Sequence, residues 1–393
     1  MTASDKDMLA MRLNASLPVK CVAALGRLVG RMLPCTKAPP LFFFFPFYHV
    51  GGAERAHAAI VGCFSAERPW LFFTKKSAND GFLSLFGRQA RLFDNWQLLK
   101  YGYPLSVGMM AGIINRHEQP VVFGSNSLFF YLLLPYLKKE ARCIDLMHAF
   151  GGGSEHFSLP VAGRLDARVA INDKTVADLK KQYLAHGLPE TLNNRICLIE
   201  NCVQVPERYT PKKRRAQLKA LYVGRGSEEK RVHLVGRIAA RCHREGLPLE
   251  LVVVGDAAGA VDEADRGVCS FLGEVTDQDE LQRVYEDADL LLLTSSREGF
   301  PMVIMEAMAH GVVPVSTDVG GIPVHVQSGK NGWLVRHAAG EEAIVDEMCR
   351  VVGRMSRERE LLGEMSRAAY DYARNSFNGE KFCSAYRALL LGS

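Results

Sequence analysis

Twice along the chain, short apolar runs alternate with segments of helical spacing, and this alternation restricts the fold more than any other feature. In the first series the runs are 41–45, 70–73, 121–123, 143–147, 167–171 and 196–199, separated by helical patterns such as 53–63 and 174–183. In the second they are 220–223, 249–255, 268–272, 290–294, 312–316 and 333–335. The runs of the second series are continuously apolar, as strands buried on both faces are. Strands alternating with helices predict an α/β architecture with mostly parallel sheets. Between the series, residues 205–216 hold two prolines and four consecutive cations that bury little, which predicts a linker or an exposed domain edge. The expected organisation is a leader over 1–40, a Rossmann-like domain over 41–206, a second over 207–376, and a helical tail over 377–393.

With 48% hydrophobic and 23% charged residues, the chain is neither disordered nor fibrous. The longest apolar run, 128–137, contains Pro135 and is too short to span a bilayer. Residues 1–40 lack the small-residue cleavage site of a signal peptide. A soluble, cytoplasmic protein is expected. The ten cysteines are scattered without a CxxC pair, so free buried thiols are expected, with no disulfide framework and no zinc site.

The net charge of +5 is unevenly spread: through Tyr209 there are 24 Lys and Arg against 16 Asp and Glu, and beyond it 24 against 27. No basic aromatic module or zinc finger accompanies the basic half, so nucleic acid is not an expected partner. An anionic membrane surface or a phosphorylated acceptor fits that half, as does a merely solvated basic face. Residues 21–33 have helical apolar spacing with Arg27 and Arg31 four apart. Such a segment either lies on a membrane or packs on its own domain.

The stretch 297–309, Arg-Glu-Gly-Phe-Pro-Met-Val-Ile-Met-Glu-Ala-Met-Ala, follows a buried run and a Ser295-Ser296 turn. Gly299 permits an unusual backbone angle and Pro301 suits the start of a helix. Strand, glycine loop and helix start together aim backbone N–H groups at one point, an anion site. Glu298 stands at its mouth, and Glu306 lies little more than a turn into the helix, where a carboxylate can accept bonds from vicinal hydroxyls. A second stretch, 221–230, brings Arg225 and Lys230 just past another strand. Ligands of parallel sheets gather at the carboxyl ends of strands. Both cations are therefore expected to face the same site and grip phosphate oxygens, Arg225 as a fork and Lys230 as a point charge.

The series Gly224-Arg225, Lys230, Val254-Gly255-Asp256, 271–275, Glu298 with Glu306, and Asp318-Val-Gly-Gly-Ile-Pro323 resembles, in order and spacing, the retaining glycosyltransferases of family 4. That resemblance implies the GT-B fold: two Rossmann-like domains facing a central cleft, with a C-terminal helix crossing back to the N-terminal domain. It implies that Arg225 and Lys230 hold the donor diphosphate, Glu306 the ribose and Glu298 the donor sugar. Backbone N–H groups of Gly299, Phe300, Met302 and Val303 complete the cradle, and the segment at Leu272 and Val275 lines the base. Upstream, Gly51 and Gly52 of the turn 49–55 correspond to the family's glycine loop. His148 corresponds to its histidine near the donor sugar, followed here by Ala149 where an acid is common. The loop 151–156 is expected on the acceptor side.

The expected activity is a metal-independent hexosyltransferase acting with retention, from a UDP- or GDP-sugar to a glycan or lipid-linked acceptor in bacterial envelope polysaccharide or lipopolysaccharide synthesis. No cofactor is expected beyond the nucleotide-sugar co-substrate. Asp277-Gln-Asp279 and Asp287-Ala-Asp289 resemble metal-binding Asp-x-Asp pairs, yet they sit at helix ends, where a structural role is expected. The run 128–137 with Lys138-Lys139, and the leader, are expected to face a membrane-associated acceptor. Location is expected to be cytoplasmic, extending to peripheral attachment on the inner face of the plasma membrane. A nucleotide-sugar epimerase of the same architecture and a non-catalytic nucleotide-sugar binding protein are the alternatives.

Overall fold

The computed structural model describes residues 3–33, 40–151 and 153–392, so Cys35, Pro39 and Gly152 lie outside it. The chain divides into two compact units, residues 1–200 with 381–393 and residues 201–380. In the N-terminal unit the strands are β1 (Leu41–Phe45), β2 (Trp70–Phe73), β3 (Arg91–Phe93), β4 (Val121–Ser125), β5 (Arg142–Met147), β6 (Ala167–Ala170) and β7 (Ile196–Leu198). They form one sheet in the order β3-β2-β1-β4-β5-β6-β7, every pair parallel. The C-terminal unit holds β8 (Leu218–Val223), β9 (Leu249–Val254), β10 (Cys269–Gly273), β11 (Leu290–Leu293), β12 (Val313–Thr317) and β13 (Trp333–Val335). Their order is β10-β9-β8-β11-β12-β13, again all parallel. Both sheets reverse their strand order once, between β1 and β4 and between β8 and β11.

The twelve sequence runs all become strands. β3 was not foreseen, because a half-exposed three-residue edge strand carries too few apolar positions to register. β1 is buried along its whole length, and its phenylalanines interlock with those of neighbouring strands: Phe44 stacks on Phe72 at 5.0 Å and Phe43 meets Phe123 edge-on.

The leader belongs to the N-terminal unit as two helices, α1 (Ala3–Asn14) and α2 (Leu17–Met32). Asn14 ties their junction down: its amide donates to Leu132 O, and Tyr136 donates its hydroxyl to Asn14 O. The run 128–137 is core, with Phe129, Phe130, Tyr131, Leu132, Leu133 and Leu134 all buried, which corrects its expected exposure to an acceptor. The connection after Glu200 is tied to the C-terminal unit: Val203 N–H bonds Phe377 O, and Tyr370 bonds Pro206 O. The unit boundaries therefore fall at 200/201 and 380/381 rather than 206/207 and 376/377. Two of its four cations, Lys212 and Arg215, are engaged. Lys212 donates to the carbonyls of Tyr285 and Glu286, and Arg215 pairs with Asp287. Burial lowers Lys212 to about 8.

The expectation of free thiols throughout is also corrected. Cys63 and Cys383, 320 residues apart, form a disulfide within the N-terminal unit, while the other described cysteines are free. The last helix, Gly379–Leu391, lies against the loop that follows helix α3 (Gly52–Gly62) and against β4: Arg387 donates to Cys63 O and pairs with Glu67, and Tyr386 packs on Phe123. No local spacing connects these cysteines, so only the return of the tail brings them together.

Under the centre of the first sheet, Asp145 on β5 is fully buried and takes bonds from Arg168 Nη2 at 2.6 Å and Tyr131 Oη at 2.8 Å. Arg168 on β6 also donates to Ser158 and Tyr183. Removing one partner would leave a buried unpaired charge, which costs about 3–5 kcal/mol. Arg168→Leu is accordingly expected to lower the unfolding free energy by about that amount in urea denaturation.

Candidate functional site

In the C-terminal unit the site is assembled where the strand order reverses. β8 and β11 are neighbours, and the loops leaving their carboxyl ends interlock. Thr294 donates its hydroxyl to Lys230 O, Ser296 N–H bonds Glu229 O, and Arg231 returns Nε to Thr294 O at 2.7 Å. This places Lys230 Nζ 2.6 Å from Glu298 Oε1, which also accepts from Ser295 Oγ at 2.6 Å. The Glu298 side chain is only 8% exposed. The two residues assigned separately to diphosphate and sugar are thus an ion pair with each other.

Two glycines are required by close approach. A Cβ on Gly255 would strike Gly224 O where the loops after β8 and β9 cross, and a Cβ on Gly320 would strike Glu298 O. Both have positive φ, +107° and +61°. Gly321 N–H bonds Gly299 O, fixing the loop in front of the helix Met302–Ala309. Pro301 is the N-cap of that helix rather than its first turn, and no side chain caps it. The amides at Met302 and Val303 therefore head a helix start of positive potential. The Phe300 ring is buried and stacks on His325 at 4.1 Å, so it offers the site only its backbone.

Glu306 is buried on the same helix and accepts from Tyr285 Oη at 2.8 Å. Tyr285 was not singled out from the sequence; it lies on Gln278–Glu286, a separate helix, and nothing local links the two. Arg225 is exposed at the tip of the β8 loop, and its carbonyl accepts from Tyr222 Oη. Leu272 is exposed at the end of β10, whereas Val275 belongs to the core. Three of the four aspartates in the two Asp-x-Asp pairs are structurally engaged. Asp277 caps the helix Gln278–Glu286, Asp287 pairs with Arg215 and Lys219, and Asp289 accepts Lys219 N–H at 2.9 Å.

In the N-terminal unit, the loop after β1 leads through Gly51 and Gly52 into α3, and Gly51 is its N-cap without a side-chain bond. A Cβ on Gly51 would strike the Glu54 carboxylate, which folds back over this turn and lies 3.9 Å from His49 Nε2. Among 151–156, Ser154 and Glu155 are buried and Glu155 Oε2 takes Gly153 N–H, leaving His156 exposed.

His148 follows β5, half-buried, with Nε2 3.0 Å from His57 Nε2 on α3. Burial holds both imidazoles low, His148 at about 4, so the pair is neutral near pH 7. His57 stacks on Phe45 at 4.1 Å, and its Nδ1 is buried without a partner. Two neutral rings in this contact need one Nε2–H donor and one Nε2 lone pair. An orphaned buried N–H is the rarer arrangement, so we assign the proton of His57 to Nε2 and that of His148 to Nδ1.

These features define a class of protein: two wholly parallel α/β units whose charged groups gather at strand ends. The fold matches that of the GT-B glycosyltransferases. The structure of Anabaena HepE in complex with UDP-glucose superimposes over 90% of this chain and 99% of that one, with a TM-score of 0.69 at 18% identity. Residues 217–354 match the family model of the glycosyl transferases group 1. An N-acetyl-alpha-D-glucosaminyl L-malate synthase of Bacillus anthracis is 33% identical over 119 residues, 30% of this chain and 29% of that protein. A lipopolysaccharide 1,2-N-acetylglucosaminetransferase of Salmonella typhimurium is 24% identical over 71% of this chain and 75% of its own length. The match thus covers less than a third of the first of these relatives.

Lowering the pH from about 6.5 to about 4 is expected to destabilise the N-terminal unit, because unfolded imidazoles take up protons that the folded pair resists. Unfolding temperature against pH reads this, and His57→Phe, which keeps a ring on Phe45, is expected to flatten the slope.

Proposed function

We propose that the protein is a retaining glycosyltransferase, a hexosyltransferase that moves a sugar from a UDP- or GDP-sugar to a glycan or lipid-linked acceptor in envelope polysaccharide or lipopolysaccharide synthesis. The observation that carries this reading is the Lys230–Glu298 pair beside an uncapped helix start at the reversal point of the second sheet. The Glu298 carboxylate holds the Lys230 ammonium at the mouth of an anion site. The arriving diphosphate competes for that ammonium, while Arg225, exposed at the loop tip, supplies a fork from the neighbouring loop.

In this reading the departing diphosphate is stabilised by Arg225, Lys230 and the amides of Gly299, Phe300, Met302 and Val303, without a metal. Preorganised donors of this kind contribute several kcal/mol to a transition state that gathers charge on the leaving group. Glu306, held by Tyr285, binds the ribose. Glu298 meets the donor sugar, and Leu272 and Val275 lie along the base. Gly51 and Gly52 approach the donor phosphates, and His148 the sugar. A donor phosphate oxygen takes the acceptor proton, so no protein base is needed, in keeping with a His148 that accepts at Nε2 from His57. We place the reaction on the cytoplasmic side of the plasma membrane. The Salmonella relative, named for a lipopolysaccharide transfer, supports the envelope assignment.

Thermal unfolding with UDP, GDP and ADP tests the donor site. One diphosphate at about a hundred times its Kd should stabilise the C-terminal unit by about 2.7 kcal/mol, a shift of a few degrees. Arg225→Ala, at an exposed position, should lose that shift while leaving the unliganded Tm unchanged. No shift with any of the three overturns the donor assignment.

A further inference from the structure

The leader helix α2 is seated with its smallest residues inward and its largest apolar residues in water. Its buried positions are Ala23, Gly26 and Gly30. They meet the helix Tyr103–Ile114 backbone to backbone: a Cβ on Gly26 would strike Leu105 O, one on Gly30 would strike Met109 O, and Gly108 meets Ala23 O in the same way. This contact fixes the rotation of α2, because no other face has small residues at a four-residue spacing. With the glycines inward, Leu17, Leu25, Leu28 and Met32 are left 75%, 59%, 56% and 77% exposed.

At about 100° per residue these four side chains fall within one arc of about 80°. Lys20 and Arg31, both exposed, lie along one edge of it. From Arg12 to Leu33 the chain has four cations and no carboxylate. An ordinary surface helix buries its leucines and shows its charges; here the leucines stand in water beside a basic rim.

We propose that this outward face of α2 docks on an anionic phospholipid bilayer, lying in the plane of the interface with its leucines among the acyl chains and its cations on the headgroups. Among the described residues no single helix is long and apolar enough to cross a membrane, and α1 and α2 meet at a 72° bend, which suits a helix lying on the surface. The rim selects a lipid surface over a second copy of the chain. An isologous pair would bring the same cations together, whereas anionic headgroups neutralise them. The donor reading is not needed for this inference, and the test below contains no nucleotide.

Flotation of the full-length protein with vesicles of phosphatidylglycerol and phosphatidylethanolamine, against phosphatidylcholine alone, measures the binding. Stronger partition to the anionic vesicles is expected. The Leu25→Gln/Leu28→Gln protein should lose about a hundredfold, at about tenfold per leucine withdrawn from the acyl region. Lys20→Gln/Arg31→Gln should lose about 25-fold on anionic vesicles, at about fivefold per cation. Because all four positions face water, both proteins should unfold at the same temperature as the parent, which separates lost docking from lost folding. No partition of the parent, or undiminished partition of the leucine variant, overturns the proposal. So does a dimer in light scattering that the leucine variant abolishes, which would make the face a contact between copies.

Discussion

The strand order reverses once in each of two wholly parallel sheets, and the positions of the chemical groups follow from that constraint. Parallel strands need crossover connections, and the strands become buried runs whose only open points are their ends. Where the order reverses, the crossover connections of adjacent strands leave for opposite faces of the sheet, and a crevice opens at the strand ends. Lys230 and Glu298, 68 residues apart, meet in hydrogen-bond contact because β8 and β11 are the pair at the second reversal. The glycines at 255 and 320 serve the same geometry, since each lets one loop backbone pass against another.

Buried polar groups then hold the strand ends in place. Asp145 sits inside β5, clamped by Arg168 and Tyr131, three residues before His148. This clamp fixes β5 against β6 and against the helix bearing Tyr131. Tyr285 does similar work in the other unit by holding one oxygen of Glu306. His57 does so for His148, with a stack on Phe45 beneath it. In each case a residue outside the recognisable motif sets the orientation or protonation of a residue inside it.

The tail and the leader both add to the N-terminal unit. The tail is joined by the Cys63–Cys383 disulfide and the Arg387–Glu67 pair, at a sequence distance that gives no local clue. The leader is joined by glycine contacts that leave its leucines outward. Amphipathic spacing in 21–33 showed that one face was apolar. It did not show that the small residues would outcompete the large ones for the inner position, a matter of how closely two helix backbones can approach.

By itself the sequence determined the period of its elements and therefore the class of fold: continuously apolar runs separated by helical patterns admit little besides buried parallel strands. It also carried the ordered motif from Gly224 to Pro323, because loops at strand ends need glycine and charge at set intervals. What only the tertiary structure decided were the partnerships across long separations: Lys230 with Glu298, Tyr285 with Glu306, His57 with His148, Cys63 with Cys383. The cations at 212–215 read as solvated because four charges in a row bury nothing alone, yet carbonyls and Asp287 from a distant helix end receive Lys212 and Arg215. Periodicity is a local property that each segment expresses alone. A contact between side chains depends on where the sheet order places their strands, and no segment contains that information.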